Sequence, residues 1–184
     1  MKLAQVLLLA LLTGLLACCG GRPATEETSS MPTLKSSAFA DGGRMPKKHT
    51  ADGEDLSPPL DFAEIPAGAK ELALICEDPD APTATPWVHW VLYGIGPATG
   101  SLPEGFAAGE TPARDGRNSW PGGKNLGWRG PAPPPGSGDH HYIFTLYALD
   151  AALDLEPGAT VEELRNKMAG HILGSGTVTG LYSR

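Results

Sequence analysis

The apolar positions of this chain fall in short runs separated by turn-forming residues. Residues 70–77 (KELALICE) are apolar on both alternating faces, which predicts a central strand buried on both sides. Residues 88–93 (VHWVLY) predict a second strand, residues 142–149 (YIFTLYAL) a third, β-branched and aromatic, and residues 177–182 a last one. One helix stands out. Thr160 and Glu163 form a capping box, Val161, Leu164, Met168 and Ile172 follow at helical spacing, and Gly174 is the predicted stop. Met168 and His171 read as packing and surface features of that helix. Short runs in a Gly- and Pro-rich body predict an all-β, antiparallel sandwich with one or two peripheral helices rather than βαβ units. Residues 102–139 hold many glycines and prolines and few apolar residues. So long a loop inside a compact domain is expected to form a partly ordered wall beside a site.

The N-terminus has a different pattern. Lys2 is followed by an apolar run over residues 3–12 broken only by Gln5, then by Thr13 and Gly14, then by Leu15-Leu16-Ala17-Cys18. The run is too short to span a bilayer, which takes about 20 apolar residues, and it ends on a small residue before a cysteine. This is the pattern of a bacterial lipobox. Residues 1–17 are expected to be a cleaved signal peptide, and Cys18 the lipidated residue. Several acyl chains anchor stably where one does not. Residues 18–32 are Gly-, Pro-, Ser-, Thr- and Glu-rich and read as a flexible tether, with the domain spanning residues 33–184. The chain is expected to be an exported, membrane-anchored lipoprotein facing the periplasm. Cys19 is not the Asp that signals inner-membrane retention, so outer-membrane sorting is preferred.

Charge narrows the partners. Removal of Lys2 with the signal leaves 13 Lys and Arg against 21 Asp and Glu. An acidic mature chain argues against nucleic acid and against electrostatic docking on anionic lipid. Of three cysteines only Cys76 lies in the predicted domain, so the fold does not rely on a disulfide, and Cys76 reads as a buried core thiol.

The polar chemistry concentrates in two places. Asp78-Pro79-Asp80-Ala81-Pro82 follows the central strand and leads to His89-Trp90, and Gly136-Ser137-Gly138-Asp139-His140-His141-Tyr142 opens the third strand. Pro79 and Pro82 favour extended backbone before them, so Asp78 and Asp80 are expected to point the same way. His140 and Tyr142 share one strand face and His141 takes the other. Two carboxylates, two imidazoles and a phenol suit a small anion: imidazolium N–H and phenol O–H donate, while carboxylates fix imidazole tautomers and are expected to hold them protonated. Backbone N–H groups of the Gly-rich turn would add donors. Taken singly, DPD is a common turn and a His beside Trp is usually packed; the joint occurrence at strand ends carries the reading.

These motifs, with Gly130-Pro131 and Pro135-Gly136 before His140 and Tyr142, resemble the two signature regions of the phosphatidylethanolamine-binding protein family, whose bacterial branch is described as Raf-kinase-inhibitor-like. Further matches are Phe39, Asp52-Gly53, Ser57-Pro58-Pro59-Leu60, Gly68-Ala69-Lys70, Leu146-Tyr147-Ala148-Leu149-Asp150 and Gly170-His171. The resemblance runs from about residue 32 to 184. It implies a β-sandwich with a small solvent-open pocket at one end that takes phosphate-like anions and the phosphoethanolamine headgroup. It implies Asp78, Asp80, His89, His140 and Tyr142 as lining residues, with Trp87 and Pro131 as wall residues. The chain departs from the family at His141, where an Arg is usual; since His141 faces away, the anion site is expected to survive.

The reading that follows is a non-catalytic module for a small anion or phospholipid headgroup, with no cofactor. The alternative is a protein-interaction or inhibitory module acting on an envelope hydrolase. An exported protein would not meet a cytosolic kinase. Catalysis is disfavoured: Ser137 sits near His140, but no nucleophile-elbow pattern surrounds it, and the histidines lack zinc-ligand spacing.

Overall fold

The computed structural model describes residues 31–123 and 125–184, so the expected signal peptide, Cys18 and all but the end of the tether lie outside the described residues. Among the described residues the strands are β1 (Thr33–Lys35), β2 (Gly43–Arg44), β3 (Leu60–Ala63), β4 (Glu71–Asp78), β5 (Trp87–Ile95), β6 (Ser101–Leu102), β7 (Arg114–Asp115), β8 (His140–Leu149) and β9 (Ile172–Tyr182), with one α-helix, α1 (Val161–Met168), before the last strand. They form a three-stranded sheet, β1-β3-β6, and a six-stranded sheet, β2-β9-β8-β4-β5-β7. The fold is the expected strand-dominated sandwich. Its one parallel pairing among these strands is the short contact of β2 with β9.

β4 lies between β8 and β5 and is buried along almost its whole length, as its doubly apolar sequence requires. Leu72, Leu74 and Cys76 face the small sheet and pack with Leu34, Leu60, Phe62, Trp90 and Phe144. Ala73 and Ile75 face the other way and pack with Val161, Leu164 and Met168 of α1. Two apolar layers therefore sandwich one sheet. Each fully buried Leu or Phe contributes about 1.5–3 kcal/mol to that arrangement. Cys76 is a fully buried free thiol, and burial pushes its pKa up.

The helix forms where its capping box predicts, with Thr160 Oγ1 accepting from Glu163 N and Glu163 Oε2 accepting from Thr160 N. It stops earlier than the periodicity suggests. Ala169 is the C-cap, Gly170 takes φ +83°, and Ile172 begins β9, where it is exposed. Ile172 matched the helical spacing by chance, and the glycine at a left-handed position ends the helix two residues before it. Pro32 is buried beside β9, its carbonyl oxygen under Gly176. Among the described residues no helix is long and apolar enough to cross a membrane.

Candidate functional site

Because β4 runs antiparallel to both neighbours, its C-terminal end meets the N-terminal ends of β5 and β8. That brings Asp78, Trp87, His89, His140 and Tyr142 together around a cavity of about 280 Å³ at the end of the inter-sheet core. The rest of the wall is Ala81, Pro82 and Thr83 from the turn after β4, and Trp120, Ala132, Pro133 and Pro134 from the long loop. Of residues 102–139, Trp120 and Ala132 to Pro134 form a wall beside the cavity.

His89 owes its position to a bulge. Cys76 pairs with Trp90 and Glu77 with Val88, which leaves His89 as the extra residue on β5. Val88 packs on the helix side, while the rings of His89 and Trp90 both reach Trp128 on the opposite side. Strict alternation would have turned either His89 or Trp90 away. The His89 ring meets Tyr142 and Trp120 edge-on, each at a centroid distance of 4.9 Å. Its Nδ1 lies 2.6 Å from the Arg129 carbonyl oxygen. A carbonyl only accepts, so Nδ1 carries the proton and Nε2 offers a lone pair. Burial above all holds the ring neutral, lowering its pKa to about 4, helped by the neighbouring His140 and opposed by the Arg129 contact.

His140 is held by Asp78. Its Nδ1 lies 2.7 Å from Asp78 Oδ2, and the other carboxylate oxygen accepts from Asp80 N at 2.9 Å. On the far side of the ring, His140 Nε2 lies 3.0 Å from Ser137 Oγ, whose one proton goes to the Pro134 carbonyl at 2.8 Å. Tyr142 completes the floor. Its hydroxyl is buried and has no hydrogen-bond partner, and burial together with Asp78 pushes its pKa up, so it remains a donor.

Of the other sequence-predicted residues, Trp87 lines the cavity while Asp80 and Pro131 do not. Asp80 is not among the lining residues. β4 ends at Asp78, the turn rotates the next side chains, and Asp80 Oδ2 instead accepts from His141 N and faces His141 Nδ1, both at 2.8 Å. His141 points outward as alternation requires and meets Asp80 at the position where an Arg was expected. Pro131 is buried behind the wall, its carbonyl accepting from Ala51 N at 3.0 Å, while its neighbours Ala132, Pro133 and Pro134 face the cavity. Trp87 lines the mouth, edge-on to Trp120 at 5.3 Å. Trp120 escaped the sequence reading; the only signal for it was a tryptophan in an otherwise Gly- and Pro-rich loop. No Lys or Arg is among the lining residues.

The model of the family described as phosphatidylethanolamine-binding protein matches residues 35–183. A UPF0098 protein of Methanothermobacter thermautotrophicus is 50% identical over 153 residues, covering 82% of this chain and 98% of its own length. A Mycobacterium tuberculosis protein named "Putative lipoprotein LppC" is 43% identical over 151 residues, covering 82% of this chain and 71% of its own. Among solved structures, CT736 of Chlamydia trachomatis matches with a TM-score of 0.76 at 37% identity, covering 84% of this chain and 99% of that one. YbcL of E. coli shares the fold, with a TM-score of 0.76 at 24% identity over 84% of this chain and 99% of its own. The chain belongs to the phosphatidylethanolamine-binding protein family. That membership makes it a binding module.

Proposed function

We propose that this module binds a small phosphate-like oxyanion, free or as a lipid headgroup, and that a lipid on Cys18 tethers it in the bacterial envelope. The observation that carries the reading is Tyr142 Oη, a buried donor with no partner, beside the cavity floored by His89 and the Asp78–His140 pair. A buried unpaired hydroxyl costs about 1–3 kcal/mol in an empty site and is recovered when a ligand oxygen accepts from it. The apolar walls exclude water and strengthen each polar contact on the floor. The lipobox at Leu15-Leu16-Ala17-Cys18 supports the tether, as does the lipoprotein name of the mycobacterial relative.

Isothermal titration with phosphoethanolamine and with inorganic phosphate tests the pocket. Wild-type protein should bind, and Tyr142→Phe should bind about tenfold more weakly, the equivalent of ~1.4 kcal/mol. Absence of binding by either anion would remove the reading. For the tether, Cys18→Ala should release the protein from the membrane fraction.

A further inference from the structure

Resting on the anion-pocket reading, we propose that the pocket takes its phosphate in the singly protonated form, so that its ligand is a phosphomonoester rather than the phosphodiester of an intact phospholipid headgroup. The argument begins with charge. Among the described residues no Lys or Arg lines the cavity, and the one carboxylate lining it, Asp78, is buried at the floor. A dianion would sit beside Asp78 with no guanidinium or ammonium among the lining residues to pair with it. The Asp78–His140 pair contributes at most one positive charge against one negative. The site is thus built for a monoanion.

The hydrogen-bonding inventory then separates two kinds of monoanion. Tyr142 Oη is a donor in want of an acceptor. His89 Nε2 is the opposite, because its ring proton is committed to the Arg129 carbonyl through Nδ1. A donor and an acceptor thus belong to two residues that line one cavity, their rings edge-on at 4.9 Å. A monoprotonated phosphomonoester answers both: a P–O oxygen accepts from Tyr142 and the P–OH donates to His89 Nε2. A phosphodiester carries one negative charge but no proton, so its oxygen would meet the His89 lone pair. The remaining ionisable groups around this pair are Asp78 and Cys76 on β4 and His140 on β8, with Asp80 and Arg184 also acting on Tyr142. Asp80 is turned to His141 and Arg184 to Asp52. His140 Nδ1 is committed to Asp78 and its Nε2 faces Ser137. None of them gives a phosphodiester a proton to donate to His89.

The test compares phosphoethanolamine with sn-glycero-3-phosphoethanolamine by isothermal titration of the full chain from pH 5.5 to 8. Both ligands meet the same protein groups, so the ratio of their affinities reports the ligand's own proton. The phosphomonoester should bind at least tenfold tighter at pH 5.5. Above its second pKa, about 6, the ratio should fall about tenfold per pH unit as the monoanion disappears. A ratio independent of pH, or a diester that binds as tightly at pH 5.5, overturns this inference and leaves the anion pocket standing. Binding of neither ligand overturns both.

Discussion

His140 Nδ1 lies 2.7 Å from Asp78 Oδ2, and both side chains are nearly closed to solvent. The contact ties the first residue of β8 to the last residue of β4. The same carboxylate accepts from Asp80 N and so shapes the turn that carries Ala81, Pro82 and Thr83 to the cavity wall. Asp78 therefore has a structural and a positioning role. Asp78→Ala leaves a buried imidazole N–H and a turn N–H without acceptors, and should cost about 4 kcal/mol in urea unfolding. Asp78→Asn keeps an acceptor oxygen and should cost about 1–2 kcal/mol. A loss below 1 kcal/mol for the alanine variant would show that solvent reaches the pair.

His89 makes stability depend on pH. The unfolded chain takes up a proton near the ordinary imidazole value of 6.5, whereas the folded ring refuses it until about pH 4. The unfolded state thus binds more protons across that window, so stability rises with pH there and is lost as pH falls from about 6.5 toward 4. The full shift amounts to roughly 3 kcal/mol. Carboxylates titrate over part of the same range, so the informative quantity is a difference. His89→Gln should lose less stability than wild type between pH 7 and pH 4.5, measured by denaturant midpoints. Equal losses would mean that His89 is already protonated in the fold.

What could be read in the sequence, and what could not, follows from range. The strands that became β4, β5 and β8 were visible because each carries a long apolar run, β9 only over residues 177–182 of its eleven, and the helix because its cap is local. The small sheet was not, since β1, β3 and β6 are two to four residues long and too short to show a period. Asp78, His89, His140 and Tyr142 were legible as a set because they sit at strand ends. The bulge that turns His89 inward is a register between two strands, and no single segment encodes it. Asp80 was placed by alternation continued past Asp78, where the strand had already ended. Trp120 reaches the cavity through the course of a long loop, which periodicity does not describe.

Glu71 is a second buried carboxylate, remote from the cavity wall. It is 6% exposed, and its two oxygens accept from Gly94 N and Leu153 N, each at 2.8 Å. It joins the bulged end of β5 to the segment after β8. Glu71→Ala should destabilise the fold by about 3 kcal/mol, because two backbone donors lose their acceptor. Ligand affinity should stay unchanged in protein that remains folded. A parallel loss of ligand affinity, read in the same titration as for the wild type, would contradict the separation of these two sites.

Trp120 should behave in the reverse way. Its ring is half-buried and stands edge-on to both His89 and Trp87, closing one side of the cavity. Trp120→Ala should admit water to the floor and weaken phosphoethanolamine binding about tenfold, while removing only about 1–2 kcal/mol of stability, since part of the ring is already solvated. Trp120→Phe should recover most of the affinity. Unchanged affinity in the alanine variant would mean that the ligand is held entirely by the floor.

Gly130 explains the Gly130-Pro131 step ahead of the cavity wall. A Cβ there would come within 2.5 Å of the His49 carbonyl oxygen and 2.7 Å of Thr50 Cα, and its N–H donates to Asp55 Oδ1 at 2.7 Å. The close approach fixes the loop against residues 49–55, and the next residues, Ala132 to Pro134, form the wall. Backbone cannot yield as a flexible side chain does, so Gly130→Ala must shift the whole segment. The cost should be about 2–3 kcal/mol, comparable to overpacking a core. Because the displaced segment also supplies the Arg129 carbonyl that fixes the His89 tautomer, ligand affinity should fall with it. Stability and affinity should therefore drop together in Gly130→Ala, as they do not in Glu71→Ala, and paired urea unfolding and titration of the two variants would reveal any failure of that contrast.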